Sequence, residues 1–599
     1  MKRLMQGNQA VAHGAWAAGV RVAAGYPGTP STEILEHLAG MPGVYTEWSP
    51  NEKIALDVAI GAAYAGQRAM AVMKHVGLNV AADSFFYAAL TGMQAGLVVV
   101  VADDPGMYSS QGEQDSRRYA KFARVPCLEP SDSQECLDMM QLAFQLSEDY
   151  DVPVMVRLVT RISHSHSVAV AVPDRLEQGS EPPPFPINTS KYVMVPANAR
   201  HRHPVLEATV SRLEAAANQL EVNQHIAGSC RVGIVTSGVA YQYVREVLPD
   251  ASYFKVGMCY PLPMEALRRF AASVERLVVV EELDPVLEEA LQQAGIACEG
   301  KSLFPLVGEL SPELVRAGLV RAGLLPAKPQ PAMQAIPDLP QRPPVLCPGC
   351  PHRGIFTILH KLKVIVNGDI GCYTLGYTEP LAALHTMGCM GASIGVAHGV
   401  LKAGVAEQNV AVIGDSTFMH SGMPALLNVV YNRTPLLTII LDNRTTAMTG
   451  HQDNPGSGKT LQGLPAHELD FKSLVRAMGI DEVYTIDPYK LEETESILRH
   501  CLALDEPSVV IARHGCALLP ENRRNYRPLK VDAEKCIACG ICRRISCPAL
   551  ALSSELYPKT GRAKTRIDPL LCAGCEICAQ VCPTHAILFR RQLDEQGGL

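Results

Sequence analysis

Gly414-Asp415-Ser416 and Asp442-Asn443, separated by 25 residues, have the side chains to grip a hard cation. A carboxylate plus an amide oxygen suits Mg²⁺, which keeps oxygen ligands and binds through substrate phosphates. A helix starting at Ser416 would offer free N–H groups to a diphosphate. The apolar runs Ala411-Val412-Ile413 and Pro435 to Leu441 flank a helical pattern over 422–431. That is a strand–helix–strand unit of a length suited to a parallel crossover. Asp415 and Asn443 would then lie just past the carboxyl ends of neighbouring strands, where open α/β sheets bind ligands.

A second chemistry belongs to cysteine. Of 19 cysteines, eight crowd the end of the chain as Cys536, Cys539, Cys542, Cys547 and Cys572, Cys575, Cys578, Cys582. The second set has the C-x₂-C-x₂-C-x₃-C-P spacing of two-cluster ferredoxins, whose fourth cysteine serves the other cluster. The spacing therefore predicts one 4Fe–4S cluster on Cys536, Cys539, Cys542 and Cys582, and another on Cys572, Cys575, Cys578 and Cys547. The first set has one extra residue before its last cysteine, a departure from the rule. Cys347 and Cys350 form a further C-x₂-C pair, with Cys372 and Cys516 downstream. A third cluster and buried thiols beside a cofactor both remain open for these four.

The fold class expected is α/β and multi-domain, about three to five domains for 599 residues. Residues 1–175 alternate strand and helix as one doubly wound domain. Its strands are expected over 21–26, 69–73 and 97–102, with Thr29 capping a helix and Pro30 at the first helical position. Ser49-Pro50-Asn51-Glu52 reads as a capping box opening the next helix. Residues 175–205 read as a linker and 230–320 as a smaller α/β domain. A proline-rich linker at 326–348 precedes a domain over 345–520, and an iron–sulfur module fills 528–592.

Hydrophobic content of 47% and charge of 19% describe a well-cored globular chain. A net charge of −7 argues against nucleic acid as partner. No apolar run is long enough to span a bilayer. The N-terminal stretch lacks the apolar core of a signal peptide, so the cysteines imply metal clusters in a reducing cytoplasm.

Taken together, GDS…LDN…TAMTG resembles the Gly-Asp-Gly…Asn-Asn signature of thiamine-diphosphate enzymes. With GYPGTPS, EWSPNEK, MKHVGLN, VADDPG, CPGC and the ferredoxin tail in that order, the whole chain resembles the 2-oxoacid:ferredoxin oxidoreductases. Within them it is similar to the large subunits of the indolepyruvate branch. The resemblance implies a pyrimidine-binding domain at 1–175, a transketolase C-terminal-like domain at 230–320 and a diphosphate-binding domain at 345–520, with thiamine diphosphate in the cleft between the first and last. It implies Mg²⁺ on Asp415, Asn443 and the Thr445 carbonyl, with Gly414 and Ser416 at the diphosphate. It gives Glu52 a second role beside the capping box, bonding the aminopyrimidine ring. Thr29 and Ser31 would face substrate, and Arg117 or Arg118 would bind its carboxylate or else sit in a solvated loop. It makes Cys347, Cys350, Cys372 and Cys516 candidates for a cluster beside the cofactor. The implied activity is oxidative decarboxylation of aryl 2-oxoacids with coenzyme A, electrons passing to ferredoxin, in a hetero-oligomer with a small beta subunit. Another 2-oxoacid specificity, or an electron-transfer subunit with a decayed thiamine site, is the alternative.

Overall fold

Short β-branched runs such as Leu97–Asp103 and Leu437–Asp442 are buried along their whole length, as strands covered on both faces must be. In this computed structural model they form the centres of two parallel sheets. The structure describes residues 2–171, 175, 185, 187–327, 342–523 and 526–589. The chain divides into two units, Met1–Gln334 and Ala335–Leu599.

The first unit holds a seven-stranded sheet in the order Met258–Tyr260, Cys127–Leu128, Val154–Val159, Leu97–Asp103, Ala69–Lys74, Val22–Gly25, Tyr45–Trp48. All pairings are parallel except that of Met258–Tyr260, an edge strand arriving from much later in the chain. Chain direction across the sheet reverses between Val22–Gly25 and Ala69–Lys74, the kind of switch point at which α/β sheets bind ligands. A four-stranded sheet built on Ser229–Ser237 and Ala251–Val256 follows in the same unit.

Three local expectations are corrected here. The supposed linker at 175–205 contains the helices Thr189–Tyr192 and Pro196–Ala217. Asn188 caps the first through its side chain and Pro196 stands at the start of the second, so residues read as breakers act as helix starters. The helix after the GYPGTPS turn begins at Thr32, so Thr29 is not its cap. Asn51, not Ser49, caps Glu52–Tyr64, accepting from the Ile54 N–H at 2.9 Å. The Ser49 N–H is taken by the Gly25 carbonyl and its hydroxyl by Glu47, which removes the capping box. The proline-rich stretch at 326–348 lies mostly outside the described residues.

The second unit holds a five-stranded, wholly parallel sheet in the order Ile365–Asn367, Asn409–Gly414, Leu437–Asp442, Ser508–Arg513, Glu482–Ile486. Antiparallel pairs Leu529–Val531 with Ile587–Phe589 and Leu550–Leu556 with Ala563–Ile567 frame the cysteine-rich tail. Leu529, Ile545, Ile577 and Ile587 of the tail share one apolar core with Ile355, Phe356 and Val412. The tail is thus packed onto the sheet domain by continuous hydrophobic burial.

Candidate active site and cysteine clusters

In the second unit, Asp415 follows directly on the strand Asn409–Gly414, and Asn443 on the strand Leu437–Asp442. Asp415 is 4% exposed and accepts backbone N–H groups from Ser416 at 2.8 Å and Arg444 at 3.0 Å. Burial, and then the charge of Asp442, pushes its carboxyl up to about 7. A buried carboxylate so poorly compensated is stabilised by a cation. Asn443 is buried beside it; its Oδ1 accepts from the Thr445 N–H at 3.2 Å, and its amide meets His352 Nε2 at 3.4 Å. Arg444, between them, has φ of 67°, a strained conformation that turns the chain sharply here. Thr446 donates to the Ser416 hydroxyl at 3.1 Å, tying this loop to the start of the helical segment. That segment contains a π-turn at Phe418–Gly422, a feature common at functional sites. Gly414 has a packing reason: a Cβ there would lie 2.7 Å from the ring of Tyr373. The donor set fits Mg²⁺, and the start of the helical segment after Asp415 lies where a diphosphate would be held.

Asp369 and His352 were missed by sequence reasoning. Asp369 follows the strand Ile365–Asn367 in a Gly-Asp pair like Gly414-Asp415. It accepts from the N–H groups of Gly391 at 2.7 Å and Ser393 at 2.9 Å, anchoring the start of Ala392–Lys402. The repeated Gly-Asp was the available signal. His352 carries none in sequence; burial alone pushes its imidazole down to about 4, so it faces Asn443 as a neutral ring.

In the first unit, the GYPGTPS turn, Lys74 and the VADDPG loop meet at one edge of the sheet. The Lys74 ammonium donates to the Ser109 carbonyl at 2.9 Å, and its stem covers Gly28. Burial lowers its pKa, against the opposing charges of Asp104 and Glu52. Ser109 also donates to the Thr29 carbonyl at 3.2 Å, and the Ser31 hydroxyl to the Gly28 carbonyl at 2.9 Å. Glu52 is 6% exposed in the first turn of its helix. A Cβ on Gly77 would fall 2.5 Å from its Oε1, so the glycine of MKHVGLN makes room for this carboxylate.

Both arginines weighed for the substrate carboxylate are engaged in ion pairs. Arg117 is 1% exposed and bonded to Asp115 at 2.5 Å and Glu281 at 2.9 Å. Arg118 pairs with Asp284 and Glu289. Both lie in or at the start of the helix Arg117–Ala123, not in a solvated loop.

Twelve of the 19 cysteines fall into three sets. Cys536, Cys539, Cys542 and Cys582 line a single cavity. Cys578 is raised by burial and then by Cys575, Cys547 and Cys572. Cys372 is pushed up to about 11 by burial and then by Cys516 and Cys347, while Cys350 feels Cys372 and Cys347. The parallel sheet carries Cys372 and Cys516 to the same edge as Asp415. Among the described residues no three His, Cys, Asp or Glu side chains converge on a single metal ion. No described helix is long and apolar enough to cross a membrane.

Known proteins resemble this chain along nearly its whole length. Residues 13–226 match the model "Pyruvate flavodoxin/ferredoxin oxidoreductase, thiamine diP-bdg". Residues 369–512 match the thiamine pyrophosphate enzyme C-terminal binding domain, and 535–586 a 4Fe-4S dicluster domain. The indolepyruvate oxidoreductase subunit IorA of Pyrococcus horikoshii is 41% identical over 98% of this chain and 96% of its own length. That of Methanothermobacter thermautotrophicus is 41% identical over 98% and 97%. The 2-oxoglutarate synthase subunit KorA of Methanothermobacter marburgensis is 28% identical over 51% of this chain and 95% of its own. With the identity running from end to end and the thiamine and iron–sulfur regions both matched, this chain belongs to the indolepyruvate oxidoreductase IorA subunits, thiamine-diphosphate enzymes of the 2-oxoacid:ferredoxin oxidoreductase family.

Proposed function

We propose that this chain is the catalytic subunit of an enzyme that oxidatively decarboxylates aryl 2-oxoacids such as indolepyruvate. It hands the acyl group to coenzyme A, passes electrons to ferredoxin and works with a smaller second subunit. The observation that carries the reading is Asp415: a buried carboxylate with two backbone donors, at the ligand edge of the sheet that also carries Asn443, Cys372 and Cys516. Thiamine diphosphate, when bound, supplies the electron sink that decarboxylation requires.

The chain's own residues would divide the work. Asp415, the Asn443 side-chain oxygen and the Thr445 carbonyl hold Mg²⁺, and Gly414 and Ser416 receive the diphosphate at the helix start. Neutral His352 restrains the Asn443 amide, leaving its oxygen side for the metal. Glu52 would hydrogen-bond the aminopyrimidine ring from its buried position. Thr29 faces substrate from a turn braced by Ser109, whereas the Ser31 hydroxyl is engaged within that turn. The three cysteine sets hold three 4Fe–4S clusters, one at the sheet edge and two in the tail. A plain decarboxylase would need no such electron path.

The test is anaerobic purification with the second subunit, followed by assay of indolepyruvate-dependent ferredoxin reduction with and without coenzyme A. About twelve iron atoms per chain and one thiamine diphosphate are expected. Iron without bound thiamine diphosphate would refute the catalytic reading and leave an electron-transfer subunit.

A further inference from the structure

Arg353 sits in the first turn of the helix His352–Leu362, immediately after the Cys347–Cys350 pair, and is 0% exposed. Its Nη2 donates to the carbonyls of Leu346 at 2.7 Å and Cys347 at 3.0 Å. Its Nη1 donates to the carbonyl of Ile545, in the tail, at 2.5 Å. Its Nε has no hydrogen-bond partner. Among the described residues no carboxylate pairs with it.

Carbonyl dipoles solvate a guanidinium but do not neutralise it, and a buried charge is retained only where an opposite charge answers it. The groups that can do so are thiolates. Arg353 holds the carbonyl of Cys347 on one side and, through Ile545, reaches the stretch two residues before Cys547 on the other. These two belong to different cysteine sets, and Ile545 lies between Cys542 and Cys547. Four thiolates around a 4Fe–4S core leave a net anion, which becomes more negative on reduction. A fixed cation beside it favours the reduced state and raises the potential.

We propose that Arg353 is the shared counter-cation of two iron–sulfur clusters, the one held by the Cys350 set and the one held by the Cys575 set, and that it raises the reduction potential of both. It is a tuning residue, not a catalytic one, and the proposal rests on the cluster reading above.

The test is a redox titration of the full-length complex followed by electron paramagnetic resonance, in wild type, R353M and R353K. R353M is expected to keep its iron while two cluster signals move to lower potential and the third stays. R353K, which keeps the charge without the fork, is expected close to wild type. Unchanged potentials in R353M, or an equal shift in R353K, would overturn the proposal and leave Arg353 as a structural pin. Where R353M fails to load iron, R353K decides. Full loading at wild-type potentials upholds the role of charge, and loss of the same iron with charge present overturns it. Only about eight iron atoms in wild type would refute the Cys350 cluster, with the Cys575 signal still testing Arg353.

Discussion

Arg117 and Arg157 in the first unit are as deeply buried as Arg353 in the second, but their charges are answered differently. Arg117 faces Asp115 and Glu281, and Arg157 faces Asp103 and Glu129. Arg353 meets only carbonyls. The carboxylates divide in the same way. Burial pushes the Asp104 carboxyl up, but donors on Ser109, Ser110 and Thr160 outweigh it and hold it below the usual range. Asp415 has two backbone amides and stays high. Charges met within the protein are structural, whereas charges left unmet at a sheet edge mark where something from outside binds.

The largest expected effect breaks the second class. Asp415→Ala should abolish thiamine diphosphate binding, measured by cofactor release from purified protein, while iron per chain stays unchanged. Full cofactor retention would remove Asp415 from the unmet class.

Asp115→Ala tests the first class. It leaves buried Arg117 short of its principal partner and should cost about 3–5 kcal/mol of stability in chemical denaturation. Iron content and bound cofactor should not change in the folded fraction. A loss under about 1 kcal/mol would mean that Glu281 alone suffices.

Glu282 offers a graded case within the first unit. Burial raises its carboxyl to about 7, with the Leu310 N–H as a hydrogen-bond donor. The folded state then holds a proton that the unfolded state releases above the ordinary glutamate range. Stability from this group is full below about 4.5, falls as pH rises and levels off above about 7. Glu282→Gln should flatten that decline and stabilise the protein at pH 8 by at most about 3 kcal/mol. A melting-temperature profile against pH unchanged by the substitution would contradict it.

The smallest effect concerns Arg118. As a half-exposed pair with Asp284 and Glu289, its replacement by Ala should cost about 1 kcal/mol or less and leave KM for the oxoacid unchanged. A tenfold rise in KM would return it to the substrate site.

Much of the second unit was legible in sequence because local patterns carried it. Glycine and aspartate after an apolar run mark a strand end, and C-x₂-C spacing is a contact rule within one loop. Those rules put Asp415 and Asn443 just past strand ends, where the structure has them. The first unit was harder. EWSPNEK satisfies a capping-box pattern, yet the sheet takes the Ser49 N–H and Asn51 caps instead, a choice made by long-range pairing with Gly25. PANARHRH looked like linker because its prolines and polar residues break helices in isolation. Arg202, bonded to Asp151 and to the Leu90 and Thr91 carbonyls, anchors it as a helix.

By itself, then, the sequence determined the order of the α/β elements, the residue types at the carboxyl edge of the second sheet and the spacing of the tail cysteines. These depend on neighbours a few residues apart. Only the tertiary structure decided that Arg117 is a buried structural ion, that Cys372 and Cys516 share an edge with Asp415, and that Arg353 is buried among carbonyls with no carboxylate partner among the described residues. Each of those facts joins segments far apart in the chain, and burial, which sets the energetic worth of a charge, exists only once they have come together.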